Sequence, residues 1–168
     1  MSTPRIDSLL KKIAKWMVIQ LKTLQDLDGS PLFKNADIWK FQIDATKGGA
    51  AKFTELQPFA FVDYDNGDSA REGGRELRQV PTMKIFIGIE SKSDGDAFWG
   101  TDKQLGTSDV RDMIIDLFDN ESPDTTINNL KCDEMFYIND HKEVIMPRQS
   151  GLELTFEISS MGSAKQTS

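Results

Sequence analysis

The chain has 168 residues, of which 38% are hydrophobic, and a formal net charge of -7. This length suits one domain with a sizeable core, and the negative charge argues against nucleic acid as the main partner, because phosphate backbones are bound by Lys and Arg. No run of about 18 apolar residues and no signal-peptide pattern occurs, so we predict a cytosolic protein without a membrane partner.

The first predicted element is an amphipathic helix. Thr3 and Pro4 suit the N-cap and the first helical position, and apolar residues recur at three- and four-residue spacing over residues 6–24. The pattern predicts a helix of about five or six turns that ends near residues 28–29. A basic amphipathic helix can lie on a membrane, but the strands that follow favour a helix that covers a sheet.

Strands are predicted where apolar and polar residues alternate. Residues 38–45 form one such stretch, followed by a glycine turn at 47–50. The strongest pair is 59–64 and 82–90, and the second of these carries an unbroken apolar face of Met83 and three β-branched isoleucines at alternate positions. Residues 65–79 between them are charged and broken by glycine, which predicts a long polar loop of the kind that often carries function.

The second half of the chain predicts another polar connection, a helix and further strands. Residues 91–106 form the connection, in which Phe98 and Trp99 are expected to fold back on the core. A helix with a hydroxyl cap at 107–109 runs to Phe118. Strands are predicted at 134–138, 144–146 and 152–159, with a turn at 139–142.

These elements predict an α+β fold. A single mixed or antiparallel sheet is packed by the long N-terminal helix and by the second helix. One domain covers residues 1–159, and the small, polar residues 160–168 are predicted to form a disordered tail.

The sequence contains few residues that could form a catalytic or metal-binding site. Cys132 and His141 are the only cysteine and histidine, so neither an intramolecular disulfide nor a Cys-based zinc site can form within one chain. The acids from Asp63 onward resemble the start of a calcium loop, but Asp68 and Gly74 stand where an EF-hand needs Gly and Glu. We therefore predict no catalytic residue, metal or cofactor, while a Cys132–His141 pair remains an alternative.

The order of elements resembles that of small tail proteins of long-tailed bacteriophages and prophages. The resemblance covers most of the chain, residues 6–158, and includes the strand Pro-Phe-Ala-Phe-Val at 58–62 and the Arg-containing loop after it. The chain is similar to the Mu-like Gp37 family and to tail terminators and minor tail proteins of the lambda U type. The segments 47–57 and 91–106 are longer than a minimal member needs.

The resemblance implies a non-enzymatic assembly protein. Such a terminator forms a ring on the tail tube, stops its polymerisation and contacts other tail or head-tail connector proteins. It would occur in the host cytoplasm during assembly and then in the virion tail. We predict that the 65–79 segment supplies the protein contact, through Asp65, Asp68, Arg71, Arg75 and Arg78. The alternative is a small cytosolic ligand-binding or regulatory domain, with a pocket beneath Phe98 and Trp99.

Overall fold

The computed structural model describes residues 8–43, 48–72, 76–123, 130–132, 134–158 and 161–163. The helices are α1 (Leu9–Leu21), α2 (Gly49–Leu56), α3 (Asp96–Trp99) and α4 (Thr107–Phe118). The strands are β1 (Asn35–Ile38), β2 (Phe59–Glu72), β3 (Glu76–Glu90), β4 (Leu130–Cys132), β5 (Met135–Met146), β6 (Gln149–Ile158) and β7 (Met161–Ser163).

The strands form one mixed sheet, which confirms the predicted α+β class. Its order is β1-β2-β3-β6-β5, and β7 pairs with the far end of β3 and with β4. β1 runs parallel to β2, whereas the other neighbours are antiparallel. Strand β3 is central, because β2 pairs along one side of it and β6 along the other.

The two faces of the sheet are covered by different elements. On one face, Met83, Ile85 and Ile87 of β3 are buried together with the apolar sides of α1 and α4. On the opposite face, Phe59 of β2 packs against Phe53 of α2. Side chains alternate between the faces of a strand, so the same two central strands contribute to both clusters.

The N-terminal helix is shorter than predicted. It ends at Leu21, and its N-cap is Ser8, whose hydroxyl accepts a hydrogen bond from the Lys11 N–H at 3.2 Å. Thr3 and Pro4 lie outside the described residues. After Leu21 the chain turns, and the apolar spacing continues only because Leu24 packs against the same core. No helix in the described part of the chain is long and apolar enough to cross a membrane.

The strand predicted at 38–45 is wrong over residues 39–43. β1 ends at Ile38, and Phe41 adopts a left-handed φ of 58°, which no strand contains. Trp39 instead packs on Phe61 and Phe86, with ring centroids 5.8 and 6.2 Å away. The alternation came from aromatic residues that pack as a cluster, and residues 44–47 lie outside the described ranges. The predicted glycine turn is in part the start of α2, which begins at Gly49.

The predicted hydroxyl cap of α4 is also corrected. The N-cap is Gly106, whose N–H donates to Asp109 Oδ2 at 2.9 Å. The Thr107 hydroxyl is buried and lies 2.7 Å from that of Ser150, so it connects the helix to β6. The apolar stripe predicted for this helix is buried as expected, through Val110, Ile114 and Phe118.

The turn predicted at 139–142 does not exist, because β5 continues through it. Residues 139–142 pair with residues 152–155 of β6. Polar residues of an exposed edge strand resemble a turn in sequence, since no buried face imposes alternation. Residues 161–163, which fall in the predicted disordered tail, form β7; residues 160 and 164–168 lie outside the described part, and their disorder remains a prediction.

Candidate functional site: a β-arm and an aromatic cleft

The segment predicted as a polar loop, residues 65–79, is a continuation of β2 and β3. Six residue pairs, from Gly67↔Pro81 to Glu72↔Glu76, extend the antiparallel ladder beyond Thr82, the last residue of β3 that pairs with β6. The ladder uses backbone groups, so polar side chains do not interrupt it. We call residues 66–72 and 76–82 the arm. At about 3.3 Å per residue the arm is about 20 Å long.

A β-bulge marks the base of the arm. The register shifts between Tyr64 and Asn66, which leaves Asp65 as the extra residue. Asp65 Oδ1 lies 3.2 Å from Lys84 Nζ, which is also 2.7 Å from Glu153 Oε1. The hydrogen bond to Glu153 raises the pKa of Lys84, burial opposes the rise and Asp65 adds to it. Of the predicted contact residues, Asp65 therefore belongs to an ion-pair network on the body of the protein.

The other predicted contact residues fall on or beside the arm. Asp68, Arg71 and Arg78 occupy register positions in it, opposite Val80, Leu77 and Ala70 respectively. Their side chains, and Arg75 as a whole, lie outside the described part of the chain. β7 pairs alongside β3 at Arg78 and Gln79, so this side of the arm is partly occupied.

An aromatic cleft of about 540 Å³ opens on the sheet face opposite α1 and α4. Its apolar lining comes from Trp39, Phe61 and Phe86, together with Ile43. Phe61 is buried, whereas Trp39 and Phe86 are half-buried and keep part of each ring accessible. Clefts of this size and lining are typical of binding sites.

Among the described residues, the rest of the cleft lining consists of Gly49, Ala50 and four charged residues, three of which are acidic. Asp63, Glu143 and Glu153 contribute three carboxylates against the single ammonium group of Lys84, which leaves a formal charge of -2. Lys84 is already paired with Glu153. Asp63 and Glu143 are exposed, and the side chain of Glu143 makes no ion pair or hydrogen bond with another described residue.

The sequence analysis missed this cleft, although a signal existed. In β3 the residues that alternate with the isoleucines are Lys84, Phe86 and Gly88, and Phe86 is an apolar residue on the face opposite to the isoleucines. A glycine at 88 leaves room for the rings of Phe59 and Phe53. An aromatic residue and a glycine on the second face of a central strand indicate that this face is also covered.

A second polar cluster joins α4 to the edge strand β5. Arg111 Nε donates to Asp140 Oδ2 at 2.5 Å, and the Tyr137 hydroxyl donates to the same oxygen. Burial alone would raise the pKa of Asp140, but the hydrogen bonds from Tyr137 and Arg111 outweigh it and lower that pKa below 3.8. Burial, and then the bond to Asp140, raise the pKa of Tyr137. The cluster fixes β5 against the helix.

We expect Asp140→Asn to lower the free energy of unfolding by about 1 kcal/mol at pH 7, since a partly buried, charge-assisted hydrogen bond is lost. The pKa of Asp140 is lower in the folded protein than the 3.8 of the unfolded chain. The Asp140 carboxylate therefore stabilises the fold at pH values above 3.8, and this stabilisation is lost as the pH falls through the pKa of the folded protein. The difference between the two proteins in urea denaturation should therefore shrink between about pH 5 and pH 2. A difference that stays constant over this range would contradict the assignment.

The remaining sequence-derived sites are placed as follows. His141 is an exposed residue of β5, and the side chain of Cys132 lies outside the description, so their pairing remains untested. Within the described ranges no group of three or more His, Cys, Asp or Glu side chains could hold a metal ion. Trp99 is 71% exposed, which contradicts the expectation that it folds onto the core, while Phe98 is half-buried with Lys142 Nζ 4.0 Å above its ring.

The fold and these surfaces define a small α+β domain with an extended arm, an open sheet edge and an aromatic cleft. No protein-family model matches the chain, and no curated protein matches it. Among solved structures, it is similar to a chain from the virion of a native gene transfer agent particle, with a TM-score of 0.44 and 10% sequence identity. The likeness covers 61% of this chain and 69% of that chain.

Proposed function

We propose that this protein is a structural component of a phage-like virion, a tail assembly protein of the terminator type that associates with copies of itself. The observation that carries the proposal is the arm. A ladder of six pairs stiffens a segment that continues beyond β6, with β7 alongside it only at residues 78 and 79, and a stiff extension is suited to contact a neighbouring subunit. The order of the elements resembles that of phage tail proteins, and this resemblance is the reason for proposing a tail as the assembly.

The outer edge of β5 beyond Tyr137 supports self-association, whereas the backbone groups of Met135 and the N–H of Tyr137 are already hydrogen-bonded to residues 119–121. β5 has twelve residues and pairs with β6 along one side, and no strand of the described ranges pairs along its other side. Phe136, Ile138 and Met146 on this strand are 38%, 44% and 49% exposed. A long edge strand with exposed apolar residues is a template for pairing with another chain.

The role is non-enzymatic, and its site of action is the host cytoplasm during assembly and then the virion tail. The acidic chain and the acidic cleft favour protein partners with basic groups over nucleic acid. The partners are further copies of the chain, in a ring, and tail or head-tail connector proteins. The alternative is a ligand-binding or regulatory domain. The sequence analysis put its pocket beneath Phe98 and Trp99, but neither residue lines the aromatic cleft, so a ligand in the cleft would be bound by other residues.

Reversing two arm charges with Arg75→Glu and Arg78→Glu should block incorporation of the protein into tails. Arg78 stands opposite Ala70 in the arm, and the two changes alter the formal charge of residues 71–78 from +1 to -3. Incorporation and tail length are measured by electron microscopy and by protein analysis of purified particles. The thermal unfolding midpoint should stay within about 2 °C of that of the wild type. Tails of normal length that contain the double variant would contradict the proposed role of the arm.

A further inference from the structure

We propose that the free edge of β5 pairs with the free edge of a second copy of this chain, in an antiparallel register centred on His141. We call residues 138–144 the free edge, because they follow the part of β5 that is hydrogen-bonded to residues 119–121 and end where the register shifts after Val144. The pairing joins two sheets into one. It is a property of the free protein and does not depend on the tail role.

Nothing in the described part of the chain occupies the outer side of the free edge. β5 is the last strand of the sheet, and no described residue outside β5 and β6 is hydrogen-bonded to the backbone of residues 138–144. A row of outward-pointing N–H and C=O groups is a template for another strand. A second copy presents the same row, and twofold dimers are the commonest oligomers of identical chains.

The charges of the free edge select one register. Opposite residues in an antiparallel ladder turn their backbone groups both toward each other or both away, so a twofold axis passes between one residue and its own copy. Registers that pair five or more residues of the free edge are centred on Asp140, His141 or Lys142. A centre at Asp140 or Lys142 sets a charge against its own copy, which is destabilising. The centre at His141 instead sets Asp140 against Lys142 of the second copy, twice, and pairs all seven residues.

Asp140 and Lys142 can form this ion pair while they keep their contacts within the chain. Both point to the same face, since their register partners in β6 are buried in the same core. Arg111 and Tyr137 donate to Oδ2 of Asp140, and Oδ1 accepts no hydrogen bond from a described residue. The ammonium group of Lys142 lies over the ring of Phe98 and has no carboxylate partner among the described residues.

The same register brings exposed apolar side chains together beyond both ends of the free edge. It sets Phe136 against Met146 of the second copy, and these residues are 38% and 49% exposed in the single chain. They lie on one face of the sheet, because Glu157 and Gln149, with which they pair, are eight residues apart on β6. Their contact is made twice and removes apolar surface from water.

A twofold contact closes with two molecules and does not propagate. The free edge therefore accounts for a dimer, and the contacts of a ring would use other surfaces, such as the arm.

Disulfide linking tests the register on the full-length chain, with Cys132→Ser in every variant to remove the native thiol. Copper phenanthroline should link His141→Cys into a dimer, because opposite Cα atoms are about 4.5–5.5 Å apart, which suits a disulfide. Asn139→Cys and Glu143→Cys should not link alone, since each residue lies about 13 Å along the strand from its own copy. An equimolar mixture of these two variants should link. Non-reducing gel electrophoresis measures the product, and the exposed Gln25→Cys, between α1 and β1, is the control that should not link.

Charge changes at Asn139 test the same register without a covalent bond. Asn139 faces Glu143 of the second copy, so Asn139→Glu should weaken dimerisation at low salt by about threefold or more, and Asn139→Lys should strengthen it by a similar factor. Gln25→Glu and Gln25→Lys carry the same charge changes and should leave dimerisation as in the wild type. Sedimentation velocity over a range of protein concentrations gives the dissociation constants.

A wild-type chain that stays monomeric at its highest soluble concentration would overturn the proposal. So would a dimer in which His141→Cys fails to link, or in which Asn139→Cys links without Glu143→Cys. These results do not bear on incorporation into tails, which the arm variant tests, so the dimer and the proposed function can fail separately.

Discussion

Replacing Gly88 with alanine is expected to lower the free energy of unfolding by about 3 kcal/mol, near the upper end of the cost of overpacking a core. A Cβ atom at this position would lie 2.2 Å from Phe59 Cζ and 2.7 Å from Phe53 Cζ. Both rings are fully buried, so neither can swing out to make room. Urea denaturation followed by far-UV circular dichroism measures the effect.

A control and a second-site change separate this clash from a general effect of alanine in a strand. Gly151 is the register partner of Gly88 in β6, and a Cβ there would lie 3.0 Å from Phe86 Cε2, at the edge of a half-buried ring. Gly151→Ala should therefore cost less than about 1 kcal/mol. Phe59→Leu removes the nearer of the two rings, so Gly88→Ala should cost less in that background, where the contact with Phe53 Cζ remains. Equal costs in both backgrounds would show that the ring is not the obstacle.

Replacing Phe118 with alanine should lower the free energy of unfolding by about 4 kcal/mol, as expected for a fully buried aromatic residue. Phe118 is the last residue of α4, and its ring lies 5.6 Å from that of Trp16 in α1 and 5.7 Å from that of Phe156 in β6. It joins both helices to the sheet. Because small domains are stable by only about 5–15 kcal/mol, the variant should be close to unfolding at 37 °C.

Phe118→Leu provides the matched control, since it keeps most of the apolar volume and should lose less than half as much stability. With Trp39 and Trp99 replaced by phenylalanine in every variant, the fluorescence of Trp16 reports on the same contact, and its emission should shift to longer wavelength only in the alanine variant. A stable alanine variant with unchanged emission would contradict the proposed role of Phe118 in joining the two helices.

The sequence predicts the buried face of the fold well, because residues that face the core must be apolar and therefore repeat at the spacing of a strand or a helix. The isoleucines of β3 and the stripe of α4 repeat as a strand and a helix require, and both elements lie where the pattern places them. The alternating residues Leu152, Leu154 and Phe156 predict β6 for the same reason. At the N-terminal helix the apolar period predicts an end that lies too far along the chain, because Leu24 continues the spacing but packs on the core from a turn.

The arm and the edge strand could not be predicted in this way. Residues 66–72 and 139–142 are mostly polar, so their sequence shows no alternation of apolar and polar residues. Their strand conformation follows from backbone pairing with partners that lie close only in the folded chain. The cleft depends on tertiary structure too, since Trp39, Phe86 and Glu143 come from three distant segments. Of the predicted contact residues, Asp65 can be assigned to an ion pair only once Lys84 and Glu153 are placed.

The central position of β3 has a consequence for synthesis of the protein. Its pairing with β2 is local and can form as soon as residue 90 has left the ribosome, but its other side pairs with residues 149–157. At about 5–20 residues per second, that side stays unpaired for several seconds while the intervening chain is made. During this interval the nascent hairpin exposes the backbone groups and isoleucines that β6 and α4 later cover. In a cell that makes many copies at once, this open edge is where chaperones would be needed most.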